Sequence, residues 1–213
     1  MNQQQFFKEV RSLLAQSEQM FQRWQNSTES HKRKSISMLM YFAHKNFQYY
    51  LANLACTAED RQNRNFALEN LRDETIGNHP RLGREFCEAI GVDIEKAPME
   101  FKKILWSIDS QIENYYDAMF ITGFMYIAEA YSPYVMSAMM SFARSKGLDN
   151  SPYIKAHSGP MEKKHIRTLA KGLVREVKDN GDDFSSAFFG VKAWQNMICY
   201  IFSSGGNNVY FVM

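Results

Sequence analysis

The chain has 213 residues and sets 25 Lys and Arg against 23 Asp and Glu, a formal charge of +2. Its hydrophobic fraction of 45% and charged fraction of 23% are those of a folded domain with a full core. The mixed signs leave no basic stripe of the kind that nucleic acid requires.

The opening "MNQQQFFKEV" is polar and lacks an apolar signal core, so a soluble, cytoplasmic chain is expected. Phe6, Val10, Leu13, Leu14 and Phe21 form a first helical stripe that ends near Asn26-Ser27. The short run His31-Lys32-Arg33-Lys34 reads as a solvated helix start. Met38, Phe42, Phe47, Tyr50, Leu51 and Leu54 give a second stripe, and a third helix is expected from about Glu59 to Glu74. Pro80 opens the next helix and Gly91 closes it. Pro98 opens another through Phe101, Ile104, Leu105 and Ile108. Tyr116, Phe120, Gly123 and Ile127 line a long apolar helix around Glu129, which Pro133 is expected to interrupt before the pattern resumes to about Lys146. A short piece runs to His157. Ser158 then reads as the N-cap of a helix through Ile166, Leu169, Leu173 and Val177. A loop over Asn180–Asp183 precedes a last helix from Ser185 to Phe202, and "NNVYFVM" reads as a short extended tail. Strand signals are weak. The sum is one all-α domain over residues 1–213, with no repeat and no dividing linker.

Cys56, Cys87 and Cys199 stand far apart and outside any Cys-x-x-Cys spacing, which argues against a disulfide framework and a thiolate zinc site. Phosphate-binding glycine loops, nucleophile elbows and His-Glu-x-x-His are absent from the sequence. Three constellations of carboxylates and histidines are left. In "NLRDETIGNHPRL", Glu74 ends one helix and His79 starts the next, so the turn can aim both at one point; equally, they can be solvated helix-end residues. Glu129 sits in a helix that is apolar on all sides, and a carboxylate buried there needs a partner; the alternative is a surface position. In "HSGPMEKKH", Glu162 and His165 share a helix face, and His157 precedes them. Glu-x-x-His is a ligand pair of carboxylate-bridged di-iron bundles, although two surface histidines among lysines would look the same. Nitrogen and oxygen donors without sulfur suit iron or manganese.

These segments in this order, "NLRDETIGNHPRL" followed by "FCEAIG", then "EAYSP", then the His…Glu-x-x-His segment, resemble the heme-oxygenase-like di-iron oxidase and oxygenase superfamily. Its fold is shared with the thiaminase II and pyrroloquinoline-quinone synthase families. The resemblance runs from about Ser35 to Phe202. It implies a heme-oxygenase-like helical bundle that binds two non-heme Fe ions, or manganese, through Glu74, His79, Glu129, His157, Glu162 and His165. Activity would be O2-dependent oxidation of a small organic substrate, with a homodimer as a further expectation. Where the family commonly has His-x3-Asp-x2-His, this chain has His-x4-Glu-x2-His with Gly159-Pro160 inside. Phe120, Met125, Tyr126, Trp106 and Tyr153 are the expected pocket lining, or else plain core. Two alternatives stay open. One is a cofactor-free, thiaminase-like member of the fold, which needs a nucleophilic Cys; the other is a non-enzymatic helical interaction protein. Heme oxygenase itself needs a proximal His, for which His44 in "YFAHKNF" is a candidate.

Overall fold

A computed structural model describes residues 1–115, 117–157 and 161–203, all helical or in short connections. The chain folds as an all-α bundle with one continuous core. Its centre is α7 (Ala118–Arg144). Against it pack α1 (Gln3–Gln25), α3 (Gln48–Thr57), α9 (Met161–Asp179) and, most extensively, α10 (Ser185–Phe202). Every residue from Phe120 to Tyr131 is buried, as a helix apolar on all faces must be.

The α7–α10 contact is close because each helix puts a glycine at the crossing. A Cβ on Gly123 would collide with the Ala187 carbonyl, and one on Gly190 with the Phe120 carbonyl. The obstacle on both sides is backbone, which cannot step aside.

Helix α7 does not stop at Pro133, contrary to the sequence expectation. Proline costs about 3 kcal/mol inside a helix. Here its ring is exposed to solvent, and the turns before and after it are both buried, so packing outweighs the local cost. The missing proline N–H leaves the Glu129 carbonyl, four residues earlier, without its usual helical donor.

The second stripe is not one regular helix. It comprises α2 (Glu29–Phe42), a π turn (Ala43–Phe47) and α3. The π turn absorbs the five-residue step from Phe42 to Phe47, and those two rings meet edge to face at 6.0 Å. Asn46 pins the turn by donating to both carboxylate oxygens of Asp109, at 2.9 and 3.0 Å, on α6 (Met99–Tyr115). The remaining elements are α4 (Arg61–Ile76), α5 (His79–Ala89), a 3-10 turn (Ile94–Lys96) and α8 (Pro152–Ala156). α4 lies on α3 and α9, and α5 on α2, α4 and α8. Ser158 as an N-cap and the "NNVYFVM" tail lie outside the described residues. No helix among the described residues is long and apolar enough to cross a membrane.

Candidate metal centre

The turn between α4 and α5 builds the first part of the site. Gly77 caps α4, donating its N–H to the Asp73 carbonyl at 2.8 Å. Asn78 then takes the left-handed conformation, φ 52°, which Asn tolerates better than most residues. The reversal folds the His79 ring back over the turn. A Cβ on Gly77 would lie 2.9 Å from His79 Nε2, so the glycine makes room for the imidazole. His79 Nδ1 thereby reaches Glu74 Oε1 at 3.1 Å. This bond from Glu74 holds the imidazolium form and raises the His79 pKa, against the opposing effect of burial.

His157 arrives from the other side, as the C-cap of α8. Its ring lies 4.7 Å from that of His79 and 4.4 Å from that of Tyr153, centroid to centroid. Nδ1 of His157 bonds the Tyr153 carbonyl at 2.9 Å. A carbonyl only accepts, so Nδ1 carries the proton and the neutral ring keeps its lone pair on Nε2. Burial pushes the His157 pKa down, and the neighbouring His79 adds to that. The result is one imidazole held neutral beside another that shares a proton with a carboxylate.

Glu74, His79 and His157 each place a ligating atom within 4.8 Å of the others. Two ligands at right angles around an ion about 2.1 Å away stand about 3.0 Å apart, which matches the Glu74–His79 separation. The anchoring of His157 Nδ1 by a main-chain carbonyl is the outer support that metal-bound histidines commonly have. The donor set therefore fits a divalent ion.

A second pair lies nearby. Glu129 is 8% exposed in the middle of α7, and its Oε2 is 3.4 Å from Nδ1 of His165 on α9. Glu74, His79, Glu129, His157 and His165 all line one cavity of about 610 Å³. The charge of Glu129 acts on His157, which couples the two groups electrically. His165 meets the Glu129 carboxylate because α7 and α9 pack side by side. The Glu162 side chain lies outside the described residues.

The rest of the lining differs from the expected set. Tyr153 lines the cavity as expected. Phe120, Met125 and Tyr126 do not; they are core, and Tyr126 meets Phe6 and Phe7 of α1. Trp106 is 57% exposed on α6. The apolar wall comes instead from Leu39, Met40, Val135, Met136 and Met139. His44 and Trp194 also face this cavity. The anchor of His157 is the main-chain carbonyl of Tyr153, which any residue type would supply, so no side chain in the sequence signals it.

The cysteines stand apart from this chemistry. Cys87 is buried, and its thiol is pushed up to about 12 by that burial. Burial also raises Cys199. Among known proteins, no family model matches the chain, and neither does any curated protein or solved structure.

Proposed function

We propose that the chain is a non-heme metal oxidase of the heme-oxygenase-like kind, which oxidises a small organic substrate with O2 in the cavity beside Glu74. The observation that carries the reading is the convergence of Glu74, His79 and His157 on one point of an otherwise largely apolar cavity wall. Two Fe(II) ions, or manganese in their place, would be held by Glu74, His79, Glu129, His157 and His165, with Glu162 as the sixth candidate. Bound there, they would supply the electrons that reduce O2.

The protein's own contributions follow from the geometry. The Tyr153 carbonyl fixes the tautomer of His157 and aims its lone pair. His79 must release the proton it shares with Glu74 before its Nδ1 can bind a cation. The Leu, Val and Met wall excludes water and packs an apolar substrate, and the pliable methionines adapt to its outline. The thiaminase-like alternative asks for a reactive thiolate. Cys87, held up to about 12, remains a thiol at neutral pH, which favours the metal reading.

The test is O2 consumption by Fe(II)-loaded protein, measured with an oxygen electrode against His157→Ala and Glu74→Ala. Protein-dependent uptake that falls at least ten-fold in both variants supports the reading. Equal uptake in all three would remove it.

A further inference from the structure

The packing of α4 on α9 has two different ends. The helices run antiparallel, so Asp60, Gln62 and Asn63 meet Arg175 and Glu176, while Phe66 meets His165 with ring centroids 5.3 Å apart. The first end is clamped. The Glu176 carboxylate, 2% exposed, accepts from Asn63 Nδ2 at 2.8 Å and from the Glu59 N–H at 2.9 Å. Arg175 grips Asp60 at 2.7 and 3.0 Å. Gly172 lets the helices approach there, since a Cβ would collide with the Asn63 amide.

Beyond the clamp the two helices enclose a groove of about 560 Å³, a volume that suits a small molecule. It is distinct from the metal cavity. Glu74, His79, Glu129 and His157 line the cavity and not the groove, whereas Lys164 and His165 line both. His165 is thus a shared wall.

The charge of the groove is unbalanced. Lys164, Arg167 and Lys171 stand three and four residues apart on one exposed face of α9. Like charges at those spacings repel. Across from them α4 supplies one acid, Glu69, and the amides of Gln62 and Asn65. Neither Glu69 nor any of the three cations takes part in an ion pair among the described residues. The other acids nearby are engaged elsewhere: Asp60 by Arg175, and Glu176 by its N–H donors. Asp73 and Glu129 lie on the cavity side, which only Lys164 of the three cations also lines. Arg167 and Lys171 therefore belong to the groove.

A polyanion answers each of these features. Guanidinium and ammonium groups hold phosphate or carboxylate oxygens through charge-assisted hydrogen bonds. Gln62 gives its oxygen to Arg175 at 2.8 Å and keeps its amide N–H groups as donors, and the hydroxyl of Thr168 on the same lining adds another. A neutral ligand would leave three cations repelling one another, and a cation would add to them.

We propose that the α4–α9 groove is a second ligand site, for a small polyanion that bears phosphate or several carboxylates, held by Lys164, Arg167 and Lys171. Its occupant lies against His165, so its charge acts on the Glu129–His165 pair across the shared wall. The site itself does not depend on the metal reading.

The test is calorimetric titration of the metal-free protein with inorganic pyrophosphate and with tricarballylate, a tricarboxylate, against acetate at the same ionic strength. The parent is expected to bind a polyanion about ten-fold or more tightly than acetate. Binding of pyrophosphate alone assigns a phosphate-bearing ligand, binding of tricarballylate alone a carboxylate-bearing one, and binding of both a site that reads charge; each supports the proposal. Arg167→Gln and Lys171→Gln should each weaken binding by about ten-fold. Lys178→Gln, which removes an exposed cation of α9 outside the groove, should leave it unchanged. All three positions are exposed, so the variants should fold as the parent does, which circular dichroism checks. No binding of either polyanion by the parent, unchanged affinity in both groove variants, or an equal loss in Lys178→Gln would overturn the proposal. Polyanion binding without iron loading would remove the metal reading and leave this site standing; iron loading without polyanion binding would do the reverse.

Discussion

Replacing Glu129 by Leu should make the metal-free protein more stable. The carboxylate is buried in α7, and its described ion-pair partner is His165 Nδ1 at 3.4 Å, longer than a strong charged hydrogen bond. Desolvating a carboxylate is expensive, and a single distant imidazole recovers only part of the loss. Leu has a similar volume, and the surrounding side chains of α7 are apolar. Exchanging a poorly paired buried charge for a packed apolar side chain is worth about 1–2 kcal/mol. For a chain of this size that raises Tm by about 2–8 °C. Thermal unfolding by circular dichroism, in buffer treated with a chelator, measures it. Fe(II) or Mn(II) should then raise the parent's Tm and move Glu129→Leu less. A metal-free Tm that falls by several degrees in Glu129→Leu would refute the reasoning, because Glu129 and His165 would then be a structural pair.

Gly77→Ala should weaken metal binding by about 10–100-fold, since the new Cβ would lie 2.5 Å from the Asp73 carbonyl and 2.9 Å from His79 Nε2 and so displace the imidazole; titration of the metal measures this. Gly190→Ala should lower Tm sharply or abolish folding, by about 3 kcal/mol or more, because its Cβ meets the Phe120 carbonyl rather than a movable side chain; urea denaturation checks it. His79 has its pKa raised by the bond from Glu74, so this bond's stabilisation is fully present below the ordinary value of 6.5 and is lost as pH rises through the higher folded value. The Tm gap between the parent and Glu74→Gln, both metal-free, should therefore be wide in mildly acidic buffer just below 6.5, where the carboxylate is still ionised, and close as pH rises. By the same linkage, metal uptake at neutral pH should release protons, which a pH indicator in weak buffer detects.

Much of the fold is legible in the sequence because its punctuation is local. Gly91 and Pro98 mark helix ends where the chain turns, and the last helix runs from Ser185 to Phe202 as its pattern requires. Glu129 is legible for a related reason: a carboxylate inside a helix apolar on every face has nowhere dry to go without a partner. What escapes a local reading is whatever depends on which helix lies beside which. Pro133 stays helical because buried turns flank it, and no local propensity records that. Phe120, Met125 and Tyr126 read as core or as pocket lining from sequence; packing decides for core, with Phe6 and Phe7 of α1 against Tyr126. His165 pairs with Glu129 across the α7–α9 contact, a relation that spacing within "HSGPMEKKH" does not contain. His44, by sequence a core or surface histidine or else a candidate axial heme ligand, lies in the π turn and lines the cavity.

The most direct test of the metal reading is iron bound per chain after anaerobic Fe(II) loading and removal of excess metal, compared with Glu74→Ala and His157→Ala. Two irons in the parent, with loss in both variants, is the predicted result. No specifically bound iron in the parent, or the same amount in all three proteins, would contradict it.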